Sequence, residues 1–127
     1  MTDRARRKRR RLSRSGEFER VYREGRSHAS RYFVVYAFPR SGDDEDARLG
    51  VSVGRKLGGA VERNRIKRLL REAFWANAEA VSPGHDFVIV ARPPAGELAS
   101  AGGEAAIEEA LRAVLAEAGL ADREGRS

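Results

Sequence analysis

The sequence predicts a single-domain α/β fold in which a sheet carries helices packed through apolar stripes. Three observations point there. An alternating segment, a long amphipathic segment and a second apolar segment follow one another between Arg48 and Ala91, the order of a strand, a helix and a strand joined in parallel through a crossover. At 127 residues and 41% hydrophobic content, the chain can bury one compact core and a second domain is not expected. Cysteine is absent, which excludes a disulfide framework or a thiolate metal site as a substitute for that core.

Residues 4–14, RARRKRRRLSR, are basic at eight of eleven positions. Such a block repels itself and stays disordered until an anion neutralises it, so 1–14 is read as a tail. From Ser15, SGEFERVYREG offers a cap, then Phe18, Val21 and Tyr22 at i, i+3 and i+4, then Gly25 as a stop, which describes a short amphipathic helix. RSHAS, from Arg26, can add an edge strand. RYFVVYAFP, from Arg31, is rich in β-branched and aromatic residues, and RLGVSVG, from Arg48, alternates again; the turn-like SGDDEDA between them suggests an antiparallel hairpin. The acidic run Asp43 to Asp46 lacks the Asp/Asn spacing and distal Glu of a calcium loop and reads as a solvated tip.

VERNRIKRLLREAF, residues 61–74, sets five cations between Arg63 and Arg71 around the stripe Ile66, Leu69, Leu70, Ala73 and Phe74. That spacing is a helix lying on a core. Asn64, Arg68, Arg71 and Trp75 fall opposite the stripe, Arg65 and Lys67 on its flanks, and Arg63 near its border. Lys67 and Arg71 at i, i+4 repel, so the outer face is poorly chosen for stability alone and suits an anion. Gly58 and Gly59 precede it, leaving the first turn open to phosphate. GRKLGGAV is no nucleotide-binding loop, because it lacks the Gly-Lys-Ser/Thr ending. After the turn SPGHD, FVIVARPPAG starts as a buried strand that a proline pair ends. GGEAAIEEALRAVLAEAGL then carries Ile107, Leu111, Val114, Leu115 and Ala118 at helical spacing, with Gly119 as a C-cap. The domain is thus 15–120, with 121–127 a flexible tail.

Charge narrows the function. The net is +6, but residues 1–93 hold 22 basic and 12 acidic side chains, a net of +10, which leaves −4 for 94–127. A polyanion such as nucleic acid should meet the first three quarters of the chain. Of the cations 22 are Arg and three Lys. Arginine offers a planar fork to phosphate and stacks on bases, although a GC-rich genome gives the same bias. No run of 18 apolar residues and no signal-peptide pattern is present, so the cytoplasm is expected. The two histidines, His28 and His85, lie in turn-like contexts, and no HExxH or GxSxG element places a metal or nucleophile. Any chemistry must come from a partner.

The stretches RLSRSGEFERVYREGRS, FVVYAF, RLGVSVGRKLGGAVERNRIKRLLREAF and HDFVIVARPPA, over about residues 11–95, resemble the protein subunit of bacterial ribonuclease P. The Arg-Asn-Arg helix is the specific part. The resemblance implies an α/β (α+β) two-layer sandwich of about four strands and three helices, ribosomal protein S5 domain 2-like, with a left-handed β-α-β crossover that periodicity does not show. It implies an endoribonuclease that works as a ribonucleoprotein, in which the RNA subunit removes the 5′ leader of precursor tRNA. Magnesium is then held mainly by RNA, and the protein alone binds none and is inactive. The partners would be that RNA and precursor tRNA, with no membrane and no obligate protein partner. RNA-binding residues would be Lys56, Arg63, Asn64, Arg65, Lys67, Arg68 and Arg71. Phe18, Tyr22 and Tyr36 would hold the leader, although spacing alone makes them ordinary core residues. Gly59 departs from the family pattern, which has a side chain such as Asn there. A structural, ribosomal-type RNA-binding protein would use the same helix with no catalytic partner. A self-sufficient nuclease or a DNA-binding regulator is the other class.

Overall fold

The computed structural model describes residues 9–12, 15–40, 46–77 and 84–118. Its elements run β1 (Arg9–Arg11), α1 (Ser15–Glu24), β2 (Arg26–Ala29), β3 (Phe33–Pro39), β4 (Ala47–Val53), a 3₁₀ turn (Arg55–Leu57), α2 (Ala60–Ala76), β5 (His85–Ala91) and α3 (Pro94–Glu117). The five strands form one sheet of order β1-β4-β5-β3-β2. β5 is central because Phe87, Val88 and Ile89 are buried on both of its faces.

β4 and β5 pair in parallel from Arg48↔Asp86 to Val53↔Ala91, with α2 as the crossover between them. The expected hairpin does not form. β3 and β4 do not pair with each other; β5 lies between them, antiparallel to β3 and parallel to β4. The apolar alternation of β3 and β4 suited either arrangement, and burial of β5 on both faces decides it. β2 is the edge strand that RSHAS suggested, antiparallel to β3.

The basic block also behaves differently from a tail in part. Arg9 to Arg11 pair in parallel with Ala47 to Leu49, making a fifth strand beside the four expected. Leu12 explains why. Its side chain is buried and its N–H donates to the Leu49 carbonyl at 3.0 Å, so one apolar residue anchors the end of a charged run. Arginines on the edge also discourage pairing with another sheet. The expectations for residues 1–8, the tip at 41–45, the turn at 81–83, Gly119 and the tail at 121–127 lie outside the described residues.

One face of the sheet packs on α2 and α3. Phe33, Val35, Leu49, Val51, Phe87 and Ile89 meet Ile66, Leu70 and Phe74 of α2 and Ile107, Leu111 and Leu115 of α3. This is the expected two-layer sandwich, and all five stripe residues of α2 are buried. α1 covers part of the other face. α3 starts at Pro94, earlier than the GGEAA segment suggested, because proline is pre-organised for the first helical turn. Gly103, at φ 62°, kinks this helix instead of starting it. Trp75 is not on the open side of α2 but half-buried on the core, edge-on to Phe74 at 4.9 Å. Among the described residues no helix is long and apolar enough to cross a membrane.

Candidate nucleic-acid interface

α2 turns its stripe inward, and that fixes where its cations go. Asn64 and Arg68 are exposed, and Arg63, Arg65, Lys67 and Arg71 are half-buried. Arg63 folds back, its Nε donating to the Gly59 carbonyl at 3.4 Å. Gly58 needs its φ of 128°, and a Cβ there would also meet the Glu62 Cβ at 2.9 Å. Gly59 is the N-cap in extended conformation, without a side-chain cap and with open space where a Cβ would stand. A side chain such as Asn would therefore fit, and glycine leaves the first-turn N–H groups without a side-chain cap. Lys56, exposed in the 3₁₀ turn, shares with Arg65 a groove of about 650 Å³ that also holds Glu62 and Glu97. The groove's mixed charge separates Lys56 and Arg65 from the acid-poor run Lys67, Arg68 and Arg71.

The opposite face of the sheet gathers the aromatics. Register sets Gly50, Val88 and Tyr36 in one row across β4, β5 and β3, with Ser52, Val90 and Val34 in the next. α1 lies over the first row and leaves the second half-open. Phe18 presses on Gly50, where a Cβ would come within 2.5 Å of the ring. Tyr22 and Tyr36 meet edge to face at 4.9 Å, and Phe18 and Tyr22 are 6.4 Å apart. All three aromatics named from the sequence are thus assembled, but not equally. Phe18 and Tyr36 are both half-buried, Phe18 against Gly50, and Tyr22 is 39% exposed. A cavity of about 510 Å³ beside them is lined by Ser15, Phe18, Glu19 and Tyr22. Burial raises the Tyr22 hydroxyl pKa above its ordinary value; a hydrogen bond with Ser52 works against this and nearby Tyr36 adds to it.

Two residues of this face were missed. Phe38 shares the face of Tyr36 and carries the Arg20 guanidinium 5.7 Å above its ring. The i, i+2 spacing of Tyr36 and Phe38 held that signal. Ser52 is the other, and only the sheet register reveals it.

At the end of the sheet where β4 and β5 begin, Asp86 is 2% exposed between two arginines. Arg48 donates to both of its oxygens, Arg40 donates to one at 2.8 Å, and Arg48 also reaches Glu17 of α1 at 2.9 Å. This chain of charges ties the first turn of α1, and with it Phe18, to the sheet. The histidines lie apart from the aromatic cleft and in strands, not turns. His28 faces Glu117 at 3.7 Å, and His85 stacks on Phe87.

Comparison with known proteins finds the same family and fold in bacterial proteins. A protein-family model described as Ribonuclease P matches residues 7–115, so the likeness extends past residue 95 and through most of α3. The ribonuclease P protein component of Geobacillus thermodenitrificans is 43% identical over 117 residues, covering 92% of this chain and 93% of that one. The corresponding protein of Halalkalibacterium halodurans is 49% identical over 88 residues, covering 69% and 73%. Among solved structures, the Staphylococcus aureus RNase P protein superposes with a TM-score of 0.76 at 37% identity, covering 87% of this chain and 95% of that one. The Thermotoga maritima RNase P protein gives 0.72 at 32% identity, covering 82% and 94%.

Proposed function

The chain belongs to the ribonuclease P protein family, and on that premise we propose that its α2 face docks the RNA subunit while the cleft under α1 holds the unpaired 5′ leader of precursor tRNA. One observation carries the reading. The cations of α2 and the aromatics Tyr22 and Tyr36 lie on opposite faces of one sheet, so two RNA segments can be held at once without competing. The cationic face suits a folded RNA through its phosphates, and the aromatic face suits a single strand through its bases. The ribosomal-type alternative is not favoured, since the relatives are ribonuclease P protein components.

The reaction is endonucleolytic removal of the leader, with the RNA as the proposed catalyst. Among the described residues there is no group of three or more His, Cys, Asp or Glu side chains that could hold a metal ion. The proposed place of magnesium is on the RNA. The protein's share is to position the leader and to offset phosphate repulsion where substrate meets RNA. The proposed compartment is the cytoplasm.

Reconstitution with a bacterial ribonuclease P RNA tests the reading. The protein should lower the magnesium concentration needed for cleavage of precursor tRNA and should not cleave by itself. Cleavage by rigorously RNA-free protein, or an unchanged magnesium requirement, would overturn it.

A further inference from the structure

β1 brings a second cationic element to the end of α2. Register places Arg11 opposite Leu49, whose side chain belongs to the core on the α2 side of the sheet. Because α2 runs from the end of β4 back to the start of β5, its last turns lie over the beginning of β4, beside Arg11. Arg71 sits there, half-buried, and feels Arg11 as a neighbouring like charge. Burial first, and Arg11 second, lower the Arg71 pKa.

Neighbouring Arg10 marks the contrast. It is paired with Asp46 at 3.4 Å, whereas among the described residues neither Arg11 nor Arg71 has an ion-pair or side-chain hydrogen-bond partner. The neighbourhood is set by the backbone. Buried Leu12 and its bond to Leu49 hold β1 in register, so Arg11 cannot retreat by more than its side chain allows. Two like charges in one neighbourhood, one of them partly desolvated, are unfavourable until an anion screens them. A phosphate fits, because each planar fork can donate two N–H groups to its oxygens.

We propose that Arg11 and Arg71 grip one phosphodiester of the RNA subunit between them, so that the RNA backbone leaves the C-terminal end of α2 across the β1 edge of the sheet. The inference rests on the family reading and adds a contact that the Arg-Asn-Arg helix does not contain.

The test is a salt titration of affinity for a bacterial ribonuclease P RNA. It compares the wild type, Arg68→Ala, Arg11→Ala, Arg71→Ala, the Arg11/Arg71 double alanine variant and Arg11→Glu, each also melted thermally. Arg11→Ala and Arg71→Ala should each weaken binding by about tenfold, on the scale of charged hydrogen bonds. The double variant should make the slope of log affinity against log salt shallower by about one unit, because one phosphate is lost and not two. Arg11→Glu sets a carboxylate beside Arg71, so it should keep or raise the melting temperature while weakening binding further. If wild type binds and Arg68→Ala weakens it, but the Arg11 and Arg71 variants bind like wild type, the shared site is wrong and the family reading stands. A two-unit slope change in the double variant would also reject a single shared phosphate. If wild type fails to bind the RNA at all, the family reading falls and this inference with it.

Discussion

Arg48 and Asp86, opposite each other in the parallel β4–β5 ladder, form a two-point ion pair in which Nε and Nη2 donate at 2.8 and 2.7 Å. Asp86 is nearly inaccessible, and its hydrogen bond is the largest influence raising the Arg48 pKa. Arg48 is therefore held in its charged form. Through Glu17 it also sets the position of α1, so it links the stability of the sheet to the shape of the aromatic cleft.

Removing the carboxylate should be costly. Asp86→Ala leaves Arg40 and Arg48 facing each other with little access to water, and breaking a buried pair in this way costs about 3 to 5 kcal/mol. Denaturant unfolding should show that loss, and Glu17→Ala, which removes a more exposed partner, should show much less. Equal, small effects for both would mean that water reaches Asp86.

On the outer side of α2, Arg68→Ala should leave stability within about 0.5 kcal/mol of wild type, because the side chain is exposed and clear of the stripe. Its affinity for the RNA subunit should fall, and the salt slope should become shallower by about one unit. Arg65, which shares a groove with Glu62 and Glu97, should matter less than Arg68. Filter binding at several salt concentrations checks both, and an unchanged slope for Arg68→Ala would return that residue to ordinary solvation.

Much of this was legible in the sequence, for reasons that differ by element. The stripe of α2 was readable because a helix on a core repeats every 3.6 residues, and all five stripe residues are buried. Tyr36 and the alternation of β3 were readable for the corresponding period of two. Neighbours in the sheet were not. Whether β3 pairs with β4 or with β5 depends on which strand gains most from burial on both faces, a comparison that no local pattern contains. β1 was hidden for another reason, since eight cations in eleven residues outweigh Leu12 in any composition window, yet Leu12 anchors the strand. The charge relay from Arg40 to Glu17 joins α1, β4, β5 and the residue after β3, and its members look like unrelated surface residues in the chain.

Tyr22 should give the protein a stability loss at high pH. Its folded pKa lies above the ordinary 10.0, chiefly through burial, so the folded state favours the neutral hydroxyl. The contribution is fully present below pH 10 and is lost as pH rises through the folded value. Melting temperatures of wild type and Tyr22→Phe, compared between about pH 8.5 and 11, isolate it from other titrating groups. Wild type should fall more steeply than the variant above pH 10, and parallel curves would show that Tyr22 ionises freely in the folded protein.

The three cleft aromatics should separate into two kinds. Phe18 rests on Gly50 so closely that Gly50→Ala must displace the ring, an overpacking that costs about 1 to 3 kcal/mol. Phe18→Ala instead opens a cavity, and truncating a packed aromatic costs about 3 to 5 kcal/mol. Combining the two changes should recover part of the loss, because the added methyl then enters vacated space. Tyr22 is the most exposed of the three and Tyr36 is half-buried, so their alanine variants should report on the leader, Tyr22→Ala with the least disturbance of the fold. Each lost base stack should weaken precursor tRNA binding to the reconstituted holoenzyme by about 1 to 3 kcal/mol. Mature tRNA, which lacks the leader, should bind as before, and affinity for the RNA subunit should hold. Melting curves taken beside both affinities decide the matter. If Tyr36→Ala weakens precursor and mature tRNA equally and lowers the melting temperature as much as Phe18→Ala does, the cleft is core packing and the leader lies elsewhere.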